Sequence, residues 1–355
     1  MNKKELLKSI SCDVTWLQTS SPYTQTSEFR PMPHFYSLPP DLEVFKFMLE
    51  RKLSNVKKRK IKCFGIDNIK NKKHVIVIPH HERVDNCLSV IDSFSNLQEI
   101  GVVVIDSTDR KNKKIHKKLI STGNTYITIK KDDSPFNKSE CMNIAYSVLS
   151  GLDVEWFVFH DTDVVLSLNF EEEFLKRVSD TNLPNFFQCF GDKRVAYLGE
   201  EPSQVLRDHL TTQSGVSVEF VRQLMTYKDV LLLGKGAPGG SIAIHRDLFE
   251  EVGGYDSEWY VGYGPEDASF FSKCVRYYIK ENLLAKQSVH QMNTYNLESV
   301  VGVHMDHDKP TVDDENFILG EIIYPCLVRM PEMKYSKIIS ASKEKITNYK
   351  EVYSQ

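Results

Sequence analysis

The sequence predicts an α/β protein: a mainly parallel sheet flanked by helices. Three observations carry this. Short apolar runs recur, each ended by polar residues. Between them, apolar residues fall at i, i+3, i+4 and i+7. Polar residues that ligands use follow the runs: His80 to Arg83 after Pro79, then Asp106, then Asp161 and Asp163. Continuous apolar runs mark strands buried on both faces. Their alternation with amphipathic helices marks a parallel sheet. The 355 residues, 41% apolar and 26% charged, are enough to bury a sizeable core.

Residues 1–70 are expected to form an N-terminal extension, partly helical. The stretch from Ser21 to Pro40 is rich in proline, serine and threonine and should be extended or looped. DLEVFKFMLERKL, from Asp41, reads as a helix. The basic run Asn55 to Lys62 reads first as a solvated helix end, and second as a phosphate-contacting patch. From His74 the pattern sharpens. Val75-Ile76-Val77-Ile78 is a buried strand that ends at Pro79. Val84, Cys87, Leu88 and Ile91 form one helical face. Val102-Val103-Val104-Ile105 is a second strand, stopped at Asp106, and Thr125 to Ile129 is a third. Cys141, Ile144, Ala145 and Val148 mark another helix, which Gly151 can close. Trp156-Phe157-Val158-Phe159 is a fourth strand and runs into His160-Asp161-Thr162-Asp163. Ser241 to Ile244 is a strand after Pro238-Gly239-Gly240. HRDLFEEV, Gly253-Gly254, the loop YDSEWYVGYGPED and the helix ASFFSKCVRYYI follow. Past about Pro310 a closing helical segment is expected. The organisation read from this is 1–70, a central domain 71–310 with halves 71–165 and 166–310, and 311–355.

Net charge is −3, which argues against nucleic-acid binding through bulk charge but leaves room for a local basic patch. The seven cysteines are scattered with no CxxC pair, which fits a reducing compartment. No apolar run approaches the ~18 residues of a membrane span, and the N-terminus lacks a signal-peptide pattern. A cytoplasmic location is therefore expected. The frequent Lys, Asn and Ile point to a bacterial or viral source.

Three constellations carry chemistry. In parallel sheets, ligands bind outside the carboxyl ends of the strands, which is where Asp161 and Asp163 fall. Two carboxylates one residue apart can face a divalent cation and a diphosphate. On spacing alone a solvated turn is the commoner origin of DxD; the apolar strand before it shifts the reading. Gly262-Tyr263-Gly264-Pro265-Glu266-Asp267 places adjacent carboxylates at a helix start, where one can bind an acceptor and the other act as general base. Ordinary acidity at a helix N-terminus is the plainer reading. His304 and His307, in GVHMDHDKP, can complete a metal site, although lone surface histidines are common.

Taken in order, these pieces resemble a GT-A fold glycosyltransferase, closest to the β-1,4-galactosyltransferase family and the related chondroitin-polymerase and polypeptide N-acetylgalactosaminyltransferase groups. The residues that carry the resemblance are VIVIPHHER, FNKSECMNIA, FVFHDTDVVL, PGGSIAIHRDLFEEVGGYD, WYVGYGPEDASF and HMDHDK, in family order across roughly residues 74 to 310. The resemblance implies that Pro79, His81, Arg83 and Asp106 line the nucleotide pocket, and that Asn137, Lys138 and Asn143 support the donor site. It implies that Asp163 binds the metal, with Asp161 assisting at the sugar or ribose. Gly239 and Gly240 would admit the donor, and Tyr263 would pack on sugar. Glu266 would hold hydroxyls and Asp267 would be the base. His304 would be a metal ligand, with His307 as its alternate. The family's WGGED has become YGPED here, and Val301 stands where the family carries a metal-site Met.

The expected activity is transfer of a sugar from a nucleotide-sugar, a UDP-sugar by the resemblance, to a hydroxyl acceptor with inversion. Mn²⁺ or Mg²⁺ would be the cofactor. The acceptor expected is a glycan, or a hydroxylated base in phage DNA. Rival readings are a nucleotidyltransferase, disfavoured because HHERVDN is not a Gly-rich basic loop, and a non-catalytic nucleotide-sugar or glycan-binding protein.

Overall fold

A computed structural model describes residues 3, 5–6, 12–20, 27–35, 41–108, 111–130, 134–191, 195–233, 239–262, 264–280, 296–307 and 314–354. Its centre is a seven-stranded sheet. The strands are β3 (Ile61–Phe64), β4 (His74–His80), β5 (Ile100–Asp106), β6 (Thr125–Ile129), β7 (Trp156–His160), β9 (Phe186–Gln188) and β12 (Ser241–His245), in the order β3-β6-β5-β4-β7-β12-β9. The β6-β5-β4-β7 core is parallel. β3 and β12 run antiparallel to their neighbours, so the sheet is mixed at its flanks. The four apolar runs from 75 to 159 are these buried central strands, as the pattern required.

Helices α2 (Val84–Ser93), α3 (Lys113–Ser121) and α4 (Lys138–Leu149) connect the parallel strands. Two buried clusters line the two faces. One joins Cys87, Val90 and Ile91 of α2 to Ile115 and Leu119 of α3 and Tyr126 of β6. The other joins Ile144, Ala145 and Val148 of α4 to Val75, Val77 and Phe157. Alternate residues of one strand thus enter opposite clusters, as the pleat dictates.

A second sheet was not legible in the sequence. It orders β11 (Val230–Leu233), β10 (Val195–Leu198), β13 (Gly302–His304) and β8 (Val164–Leu166). Its strands are three or four residues long, too short to show a period. This sheet brings β13, with His304, beside β8, which follows Asp163 directly.

The N-terminal segment contributes more than an extension. β1 (Cys12–Ser20) and β2 (Ser27–Phe35) pair antiparallel, and α1 spans Asp41–Leu53, the stretch read as a helix. β3, inside the segment assigned to 1–70, belongs to the main sheet. At the other end, α10 (Asp314–Arg329) and α11 (Glu332–Tyr353) form the closing helical segment. Val44, Phe47 and Met48 of α1 share a buried cluster with Leu319, Ile323 and Ile338 of these helices and with Trp259 and Tyr260 of the central region. The chain's two ends therefore support the loop that leads to Glu266 and Asp267. No helix among the described residues is long and apolar enough to cross a membrane.

Candidate active site

The site forms at the carboxyl edge of the parallel strands. β7 ends at His160, and the Asp161-Thr162-Asp163 turn reverses the chain into β8. His160 is fully buried and pins this turn from behind. Its Nε2 lies 2.7 Å from the Val164 carbonyl and its Nδ1 lies 2.9 Å from Ser241 Oγ. A carbonyl only accepts, so Nε2 carries the proton and Ser241 donates to Nδ1. Burial lowers its pKa to about 4, so the ring stays neutral. Thr162 Oγ1 donates to the Pro79 carbonyl at 3.3 Å, tying the turn to the end of β4.

Asp163 is buried and faces three cationic or imidazole groups. The Arg83 guanidinium contacts Oδ2. His304 Nε2 is 3.5 Å from Oδ1 and His307 Nε2 is 3.3 Å from Oδ2. Burial works against the charge, but His304, Arg83 and His307 together outweigh it and hold the carboxyl down at about 2. Ligand atoms of Asp163, His304 and His307 all lie within 4.8 Å of one another. Asp163 Oδ1 is buried without a hydrogen-bond partner, an uncompensated acceptor of the kind that a cation satisfies. The set of two imidazoles and a carboxylate fits a divalent transition-row ion such as Mn²⁺. His307 lies in the same cluster as His304.

Arg83 reaches Asp163 because the chain turns sharply after β4. Glu82 has φ +66°, the sole non-glycine residue with positive φ among the described residues. Such a conformation is uncommon away from glycine and clusters at functional sites. His81 stacks on Phe136, centroids 5.2 Å apart at 6°, with Nδ1 2.9 Å from the Ser107 carbonyl. Pro79 is buried in the strand end.

On the other side of the turn, Lys138 is the hub. Its Nζ is 2.6 Å from Asp161 Oδ1, 2.7 Å from Asp267 Oδ2 and 3.8 Å from Glu266 Oε1. Burial disfavours its charge, but Asp161, Asp267 and Glu266 overcome this and raise its pKa well above the ordinary value. Burial raises the Asp267 pKa; Lys138 opposes this and Asp161 reinforces it. Glu266 is pushed up to about 8, chiefly by burial, with Lys138 opposing and Asp267 adding to it. Gly239 (φ +133°) packs against Asp267: a Cβ there would lie 2.8 Å from Oδ2. The Asp161 amide donates to the Gly240 carbonyl at 2.9 Å. Gly239 and Gly240 thus let β12 approach both acidic pairs.

Three residues expected at the donor site make their contacts within the fold. Asp106 is fully buried, with Oδ1 2.9 Å from His80 Nδ1 and Oδ2 accepting from Tyr126 Oη. Each of its oxygens thus has a partner within the fold. Asn143 is buried; its Oδ1 accepts from the Tyr255 amide and its Nδ2 donates to the Tyr255 carbonyl, both at 2.9 Å. Asn137 caps α4 through the Glu140 amide (2.8 Å) and donates to the Ser257 carbonyl (2.8 Å). Both asparagines hold the loop after Gly253-Gly254. Tyr263 lies outside the described residues.

Other contributors gave no sequence signal. Tyr197, on short strand β10, stacks on His304 with centroids 4.7 Å apart. Helix α6 (Glu200–Thr212) fixes the His304–His307 segment. Ser203 Oγ accepts from the Asp306 amide at 2.7 Å, and Arg207 donates to the Asp306 carbonyl at 3.1 Å. Asn86 of α2 donates to that carbonyl at 3.2 Å.

The family model described as glycosyltransferase-like family 2 matches residues 74–305, well over half of the chain. The chain belongs to this glycosyltransferase family. The match spans every described site residue except Asp306 and His307, which lie just past its end. Among curated proteins, none matches this glycosyltransferase. Solved structures similar to it include glucosyl-3-phosphoglycerate synthase from Mycobacterium tuberculosis, in complex with Mn²⁺, uridine diphosphate and glucosyl-3-phosphoglycerate. That match has 15% identity, a TM-score of 0.37, and covers 69% of this chain and 76% of the other. Another is S. aureus TarS 1–349, at 12% identity and TM-score 0.41, covering 76% of this chain and 70% of the other.

Proposed function

We propose that this glycosyltransferase moves a sugar from a UDP-sugar to an acceptor hydroxyl with inversion at the anomeric carbon, and that Asp267 is the general base. One observation carries the reading: Lys138 joins Asp161 to Asp267, so the DxD turn and the Glu-Asp pair, about a hundred residues apart in sequence, face one crevice. Asp163, His304 and His307 would hold Mn²⁺. Such an ion, when bound, neutralises charge on the departing diphosphate. Arg83 and Lys138 stand on either side of the turn as fixed cations for the same diphosphate. His81 and Phe136 offer a flat edge to the nucleoside. Asp267 takes the acceptor proton as the hydroxyl attacks, and Glu266, protonated near neutrality, donates to a sugar hydroxyl. Burial favours this division, because it raises both carboxyl groups toward a working pH.

A panel of nucleotide-sugars, followed by release of free nucleotide with and without Mn²⁺, tests the reading. The expected result is consumption of a UDP-sugar that requires Mn²⁺ and drops about 10²–10⁴-fold in Asp267→Asn, the usual worth of a general base. Turnover in that variant equal to wild type refutes the base assignment.

A further inference from the structure

Charge along this chain is unevenly spread. Residues 51–130 carry 18 Lys and Arg against 7 Asp and Glu, whereas the whole chain carries 45 against 48. Folding gathers much of this excess onto one surface. The Lys130 amide donates to the Lys60 carbonyl at 2.9 Å, extending the β3–β6 pairing by one step. In the same register Lys62 pairs with Thr128 and Phe64 with Tyr126. Alternation along a strand puts Lys60, Lys62 and Phe64 on one face. That is the face α3 covers, because Tyr126 shares a buried cluster with Ile115 and Leu119. Lys111 bridges strand and helix, its Nζ 4.2 Å from the Phe64 ring centroid. Along α3, Ile115 and Leu119 point inward while Lys113, Lys114 and Lys117 are exposed. Among the described residues none of these seven lysines pairs with a carboxylate, whereas Lys118 on the same helix is held by Asp92. Lys60 and Lys130 sit at the carboxyl end of β6, the sheet edge on which the candidate site opens.

We propose that this lysine face docks duplex nucleic acid through its phosphodiester backbones, by charge and without base readout. The residue types favour this partner over others. Protein interfaces are enriched in aromatic residues and Arg and depleted in Lys. Peripheral membrane binding adds an apolar anchor to its charge, and here Ile115 and Leu119 of α3 are buried, which leaves Ile120 as its one exposed large apolar side chain. Single strands are held by exposed aromatic rings, whereas Tyr126 is buried and Phe64 is half-buried beneath Lys111. Lysines that, among the described residues, have no carboxylate partner, with only Lys111 over a ring, are what sequence-independent phosphate contact needs.

Fluorescence anisotropy with a labelled duplex of mixed sequence, without donor or metal, tests binding apart from turnover. If four or five phosphates are engaged, log K falls against log salt with a slope of about −4, or about 10²-fold between about 50 and 200 mM. The triple variant Lys113→Glu/Lys114→Glu/Lys117→Glu, all solvent-facing, should lose at least about tenfold in affinity and flatten that slope. Lys176→Glu/Lys337→Glu, on other surfaces, should change neither. Melting temperatures of both variants report that the fold is kept. Absence of salt-dependent binding, equal affinity in the triple variant, or tighter association with anionic phosphatidylglycerol vesicles than with duplex overturns the proposal. Failure here leaves the sugar-transfer reading intact, because the assay contains no donor.

Discussion

Replacing Lys52 with methionine is expected to destabilise the protein more than any exposed substitution, because it removes the cation that two buried carboxylates share and leaves each with one lysine. Lys52 lies on α1 and is 2% exposed. Its Nζ is 2.9 Å from Asp256 Oδ1 and 2.7 Å from Glu258 Oε2, and 4.8 Å from the Trp259 ring centroid. Lys273 also holds Asp256, at 3.0 Å, and Lys345 stands 3.8 Å from Glu258. Removing one partner of a buried pair costs about 3–5 kcal/mol, since the remaining charge stays desolvated. With an unfolding entropy of about 2.1 cal/mol/K per residue, that loss lowers the melting temperature of a 355-residue chain by about 4–7 °C. Calorimetry on wild type, Lys52→Met and Lys52→Met/Glu258→Gln measures it. The double variant should recover part of the loss, because it removes Glu258, the carboxylate whose remaining lysine is the more distant. A Lys52→Met shift below about 1 °C, or a double variant less stable than the single, refutes the reasoning.

The other expected outcomes follow from the same contacts. Asn143→Ala strips the Tyr255 amide and carbonyl of their partners in a buried setting and should cost about 1–3 kcal/mol in denaturant unfolding, with donor affinity changed little if the loop is merely supported. Glu266 has a folded pKa of about 8 against an ordinary 4.5, so the folded state binds the extra proton between these values. Stability should fall as pH rises across that window, and Glu266→Gln should remove that slope from a melting-temperature profile; an unchanged profile would show that the carboxyl is not held protonated. Asp256 behaves in the opposite sense. Burial opposes its charge, but Lys273 and Lys52 outweigh that and hold it at about 2. Its contribution is therefore present above about pH 4 and lost as pH falls toward 2, seen as an acid limb that Asp256→Asn flattens.

The central sheet was legible because its strands announce themselves. Val75 to Ile78 and Val102 to Ile105 have no alternative as solvated segments, and the helical faces at Val84–Ile91 and Cys141–Val148 fix the crossovers. The DxD turn and the Glu-Asp pair were legible as chemistry at strand and helix ends. Their convergence needed the fold, since nothing in the sequence marks Lys138 as the residue that touches both. The supporting layer stayed hidden for a physical reason. Tyr197 acts from β10, four residues long and too short to show a period, and Ser203 acts from α6, where nothing in the helical pattern marks a serine that faces the site. Asn143 and Asp106 have the polarity of ligand-binding residues, but burial turned that polarity inward, onto Tyr255 and onto His80 and Tyr126. Composition cannot separate a polar side chain that serves a ligand from one that serves the backbone.

The most direct test is anomalous scattering at the manganese edge from crystals soaked in Mn²⁺ and UDP. The account predicts one strong peak bonded to Asp163, His304 and His307, with the diphosphate between Arg83 and Lys138 and Asp267 facing the same cavity. A manganese peak away from those three side chains, or a nucleotide bound on a surface that Asp267 does not face, would contradict it.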